Sequence, residues 1–155
     1  MKPSLIIVIG MPGSGKTTYL EKLRRNHAIT EFYDDYQGHS PNGQKDPRLS
    51  TYYTPLLTRL KNGETVGVSD IRYCLRPELD AFIQAILEAV PETRLEYRYF
   101  DNDPERCKDN VKKRGRTEER VARELQLIDE YAPHYVVPAP RTPTIQTLRV
   151  PAAGS

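Results

Sequence analysis

The apolar run Leu5-Ile6-Ile7-Val8-Ile9 leads directly into Gly10-Met11-Pro12-Gly13-Ser14-Gly15-Lys16-Thr17-Thr18, a strand followed by G-x-x-x-x-G-K-T. Few short segments restrict a fold more. Gly10, Gly13 and Gly15 let the backbone wrap tightly enough for its N–H groups to converge, and a helix opening near Gly15 would aim its positive end at the same point. A phosphate group fits such a concavity. The helical pattern Tyr19, Leu20, Leu23 follows at once, so both flanks of the motif are in place. Gly13, Ser14, Gly15, Lys16, Thr17 and Thr18 are therefore expected to hold a nucleoside triphosphate, ATP. Lys16 would reach the β- and γ-phosphates, and the Thr17 hydroxyl would hold the bridging Mg²⁺.

With 155 residues, the chain has room for one three-layer core but not for a nucleotide site plus a separate effector domain. The expected class is α/β, a three-layer P-loop fold with a parallel sheet of about five strands and helices on both faces. Strands are predicted at about 4 to 9, 29 to 33, 65 to 69, 94 to 100 and 144 to 149, and helices at about 15 to 26, 48 to 61, 77 to 89, 104 to 113 and 118 to 131. Pro77 and Pro104 suit first helical turns, Asp103 suits an N-cap, and Gly63 suits a helix end. The turn-forming stretch between Tyr36 and Arg48 reads as a long surface loop. One domain over 1–150, with a basic lid near 112–120 and a frayed tail at 151–155, is the expected organisation.

Composition sets further limits. Cys74 and Cys107 have neither metal-ligand spacing nor the count of a disulfide framework, which predicts free thiols in a reducing cytoplasm. No apolar stretch approaches the length needed to cross a membrane, and nothing in the N-terminal residues suggests export. A net charge of +2 is too small to argue for nucleic acid, so that argument must rest on where the charges sit.

A phosphate-binding loop does not by itself separate a kinase from a hydrolase, a switch or a motor. The carboxyl ends of the other strands do more, because in an open parallel sheet they face the same crevice. Asp34 and Asp35 follow the second predicted strand and Asp70 follows the third. Carboxylates there can take a proton from an attacking hydroxyl or hold a metal through water, or serve only as caps and loop acceptors. Between the last two predicted helices lies Lys112-Lys113-Arg114-Gly115-Arg116, four cations around a glycine. Such a hinge can close cations over a transferring phosphoryl group, or can be a solvated helix end.

The loop 10–18, Asp34-Asp35-Tyr36, Ser69-Asp70, Phe100-Asp101 and Lys113-Arg114-Gly115, taken in this order, resemble the kinase domain of phage polynucleotide 5′-hydroxyl kinase and its small P-loop relatives, over roughly residues 3 to 131. The resemblance implies Lys16 on the β-phosphate side, Thr17 on Mg²⁺, Asp34 as general base and Arg114 in the lid, with Arg116 closing beside it. Asp70 would support the floor of the acceptor site, next to Asp35 and Arg72. It also implies nucleic acid, DNA above all, as acceptor, and a phage-encoded enzyme working in the host cytoplasm.

One departure bears on the acceptor. The family pattern has arginine three residues after the base and immediately before it, where this chain has Gln37 and Tyr33. Arg72, Arg76, Lys45 or Arg48 could take over the acceptor phosphate. The altered pocket leaves room for another hydroxyl, since some phage P-loop kinases of similar build phosphorylate hydroxymethylated pyrimidines within DNA. Tyr33, Tyr36, Tyr52, Tyr53 and Tyr73 could stack on such a base. The expected function is transfer of the γ-phosphate of ATP to a nucleic-acid hydroxyl, either a 5′ end or a base such as 5-hydroxymethyluracil. Alternatives are a small-molecule or nucleoside kinase, and a nucleotide-dependent binding module.

Overall fold

The computed structural model describes residues 2–34, 54–138, 144, 145 and 147. Asp35, Tyr36, Gln37, Lys45, Arg48, Tyr52, Tyr53, the surface loop, the predicted helix start at 48–53 and the tail at 151–155 all lie outside the described residues.

Chain order is β1 (Ser4–Ile9), α1 (Lys16–Arg25), β2 (Glu31–Tyr33), α2 (Thr54–Lys61), β3 (Thr65–Ser69), a 3₁₀ turn (Ile71–Cys74), α3 (Arg76–Ala89), β4 (Arg94–Phe100), α4 (Pro104–Lys113), α5 (Glu118–Tyr131), a second 3₁₀ turn (Ala132–His134) and β5 (Thr144–Ile145). All pairings are parallel, in the order β2-β3-β1-β4-β5. The sheet rests on four strands. Of the fifth, expected over 144 to 149, Thr144 and Ile145 pair with Tyr99 and Phe100, and residues 146, 148 and 149 lie outside the described residues.

The strand order explains where the helices go. The connection from β1 to β2 runs one way across the sheet and all later connections run the other way. Right-handed crossovers therefore put α1 on one face and α2 to α5 on the opposite face. β1 lies in the middle with both faces covered, so its apolar run does not alternate with polar residues. Leu5, Ile7 and Ile9 join the larger core with Leu60, Phe82, Val111 and Ile128, while Ile6 and Val8 join the smaller one with Leu20, Ile29 and Phe32. Gly67 in β3 lets α1 come close, because a Cβ there would meet Leu20 Cδ2 at 2.7 Å.

Local signals set the element ends. The Asp103 side chain caps α4 by accepting from the Arg106 N–H at 3.1 Å, with Pro104 opening the helix. Gly63 takes φ 80° just past α2. Tyr135 is buried and donates its hydroxyl hydrogen bond to the Phe100 carbonyl, with the Ile9 carbonyl 3.2 Å away, so the chain after α5 is tied to the ends of β1 and β4. No described helix is long and apolar enough to cross a membrane.

Candidate active site

β1 and β3 end beside each other, with β4 on the other side of β1, so the loop after β1 opens where the chain reverses its direction across the sheet. Open α/β sheets bind ligands at such points. The loop from Gly10 to Gly15 makes a tight turn, with the Ser14 N–H on the Met11 carbonyl at 3.1 Å. Gly13 and Gly15 take φ of 84° and 105°, a region that side chains with a Cβ enter only under strain. Gly13 has a second reason to be glycine: a Cβ there would run into the Cys107 carbonyl of α4 and touch Val111 Cγ2 at 3.0 Å. From the same helix, Asn110 Nδ2 donates to the Gly13 carbonyl at 2.9 Å, buried. The loop is thus held from behind by α4, nearly a hundred residues downstream.

Lys16 opens α1 and is only 7% exposed. Ser14 Oγ is buried without a hydrogen-bond partner. Lys16 and the N-terminus of α1 line a cleft with Gly13 and Gly15, an ammonium group and backbone N–H groups of the kind that suit a polyphosphate. Thr17 Oγ1 donates to Asp34 Oδ2 at 3.2 Å, and Asp34 at the end of β2 is also 7% exposed. A hydroxyl and a carboxylate side by side could hold Mg²⁺, the hydroxyl directly and the carboxylate through water. No group of three His, Cys, Asp or Glu capable of holding a metal exists among the described residues.

Asp70 follows β3 and is buried. It caps the 3₁₀ turn through the Arg72 N–H at 2.9 Å and takes the Arg72 guanidinium in a fork, Nε at 3.1 Å and Nη2 at 2.8 Å. Burial pushes the Asp70 carboxyl up, but the Arg72 hydrogen bonds and charge outweigh it and hold the group below its ordinary value. Asp70 therefore has both oxygens on Arg72, and the pair lines the cleft together. Arg76 pairs with Asp80 on the exposed face of α3 at 3.0 Å and does not line the cleft.

The four-cation run divides. Lys113 pairs with Asp109 on α4 at 2.8 Å, while Arg114 and Arg116 line a cleft of about 960 Å³ together with Gly13, Lys16, Thr17 and Asp34. Burial, and then the neighbouring Arg116 charge, push the Arg114 guanidinium pKa down. Gly115 takes φ 68°. Arg120, Arg123, Glu124, Leu127 and Tyr131 of α5 complete this wall and were not anticipated. Their spacing of three and four marks one helical face, but that pattern equally describes a solvated face.

Two expected stacking residues have other work. Tyr73 is 4% exposed and packs on Phe82 in the core, ring centroids 4.8 Å apart. Tyr33 accepts from Arg59 Nε at 3.1 Å. Asp101 accepts from the Thr147 N–H at 2.8 Å and from its hydroxyl, so it anchors the segment beside β4. Both cysteines are buried, and neither is in a disulfide.

No protein-family model matches the chain. It is 28% identical over 135 residues to the uncharacterized protein R277 of Acanthamoeba polyphaga mimivirus, covering 87% of this chain and 88% of that protein. Among solved structures it aligns with a chain from the Pnkp1/Rnl/Hen1 RNA repair complex at a TM-score of 0.54 and 18% identity, over 86% of this chain and 46% of that one. This chain thus spans about half of that neighbour, and the likeness is one of fold.

Proposed function

We propose that the chain is an ATP-dependent kinase that transfers the γ-phosphate to a hydroxyl on nucleic acid, either a 5′-hydroxyl end or a hydroxymethylated pyrimidine such as 5-hydroxymethyluracil in DNA. The observation that carries this reading is the buried Lys16 beside the Thr17–Asp34 pair, in one cleft with Arg72 and Arg114. The fold shared with a chain of an RNA repair complex supports it.

In this reading Gly13, Ser14, Gly15, Lys16, Thr17 and Thr18 hold the triphosphate, with Thr17 and, through water, Asp34 at Mg²⁺. Bound Mg-ATP supplies the phosphoryl group and a neutralised leaving group. Asp34 accepts the proton of the acceptor hydroxyl as its oxygen bonds to the γ-phosphorus, and the bond from that phosphorus to the β–γ bridging oxygen breaks, releasing ADP. Lys16 and the guanidinium groups of Arg114 and Arg116 meet the charge on the oxygens in flight. Asp35 and Arg72 belong to the acceptor side, with Asp70 holding Arg72 in place.

Charge favours a polyanionic acceptor over a neutral nucleoside or metabolite. Seven lysines and arginines line the cleft against four carboxylates, although the whole chain carries only +2. The test is transfer of radiolabelled γ-phosphate, with 5′-hydroxyl oligonucleotides, hydroxymethyluracil DNA and free nucleosides offered in parallel. Label on either nucleic acid supports the reading. Label on nucleosides alone makes the protein a small-molecule kinase, and hydrolysis without acceptor dependence makes it a nucleotide-dependent switch.

A further inference from the structure

Behind the arginine wall stands an acid whose hydrogen bonding is incomplete. Glu124 is on α5 with its side chain only 14% exposed, and one oxygen, Oε1, accepts from both Arg116 Nη1 at 2.7 Å and Arg120 Nε at 3.3 Å. The other oxygen, Oε2, is buried with no hydrogen-bond partner. An ordinary surface ion pair leaves its spare oxygen to water. Here Oε2 is shut away from water instead, and burying an unmatched acceptor costs stability.

The surroundings give that cost a use. Arg114, Arg116, Arg120 and Arg123 line the cleft within ten residues of chain. Like charges this dense repel one another unless an anion sits among them. Glu124 is the acid that lines this wall beside them. By taking two guanidinium groups on one oxygen it orients both while cancelling only one charge, so the wall stays cationic toward the hollow at Lys16. We infer that Glu124 is a positioning residue for phosphate transfer, gathering Arg116 and Arg120 at the cleft before a polyphosphate arrives. The inference rests on the proposed kinase reading, in which those arginines meet the phosphates.

Two opposing effects decide the test. Neutralising Glu124 makes the cleft more positive, which strengthens attraction, but it leaves two long side chains to be ordered on binding, which weakens it. At an ionic strength of about 0.15 M screening curbs the first effect more than the second. Binding of Mg-ATP and of inorganic tripolyphosphate is measured by calorimetry in that salt. Glu124→Gln should weaken both by about tenfold, the order expected when one or two long side chains must be immobilised. The same substitution in an Arg116→Gln/Arg120→Gln background should then change binding less than about twofold, since nothing remains to be positioned. Unchanged or tighter binding in Glu124→Gln, or equal weakening in both backgrounds, overturns the inference. If Glu124→Gln does not fold, the arginine double variant alone decides, because undiminished binding there also overturns it. Lys16→Ala reads the other claim separately: tripolyphosphate binding that survives in it sinks the phosphate site itself, whatever Glu124 does.

Discussion

The loop between β1 and α1 is packed from behind by α4, whereas Arg116 and Arg120 on the same cleft are held by ion pairs to Glu124. At Gly13 a Cβ would meet the backbone and side chains of α4, and at Gly115 it would meet nothing within 4 Å. Asn110 fixes the first region through a buried hydrogen bond, and Glu124 fixes the second through two partly exposed arginines. In the proposed reading, the difference would give the phosphates a fixed backbone seat and side chains opposite it whose reach is set by pairing. Rigid backbone sets the position of charge, and paired side chains set its reach.

The largest effect should come from Lys16→Ala, with a loss in phosphate transfer of at least about a hundred- to a thousandfold, as for removal of a pre-set donor to developing charge. ADP release in the presence of acceptor measures it. Asp34→Asn should slow transfer by about two orders of magnitude while nucleotide binding changes little, the size of a lost general base. Parallel loss of nucleotide affinity would instead assign Asp34 mainly to the Thr17 metal position.

Arg72→Met should cost about 3 kcal/mol at pH 7, because it strands a buried carboxylate. The folded protein holds Asp70 below the ordinary value of 3.8, so this stabilisation is complete above that pH and disappears as pH falls through the depressed value. Urea melts at neutral and acidic pH should show the gap between wild type and variant closing in acid; a gap independent of pH would place the effect in packing.

The glycines test the comparison most directly. Gly13→Ala combines a left-handed backbone with a collision and should cost about 2–4 kcal/mol together with nucleotide binding. Gly115→Ala meets only the backbone penalty, about 1 kcal/mol, and should leave nucleotide affinity within a fewfold. Equal losses at the two positions in paired thermal melts would break the distinction between the packed and the surface-held walls.

Much of this was legible in the residues, and unevenly. The phosphate seat is local: strand, three glycines, lysine and helix are contiguous, so turn chemistry and periodicity suffice. Asp34 and Asp70 were found by a rule of topology, that strand ends of a parallel sheet share a crevice. Tyr73 was open to either a stacking or a core role, because a single aromatic in a short segment has no intrinsic side; the packing of α3 against the sheet put it on Phe82. Asn110 could not be read at all, since its partner Gly13 lies 97 positions away. Glu124 fell within an acid-rich and base-rich helix whose every i, i+4 pair looked alike, and only α5's contact with the cleft separates it from Lys108 and Asp129 at the surface.

Short-range physics alone therefore specified the strand, the glycine turn and the lysine that opens α1, because each depends on backbone conformations set within a few residues. Tertiary structure decided which cations line the cleft beside Lys16 and which acid pairs with them. Burial and charge pairing depend on which helix face is covered, and that is settled only when α4 and α5 pack together.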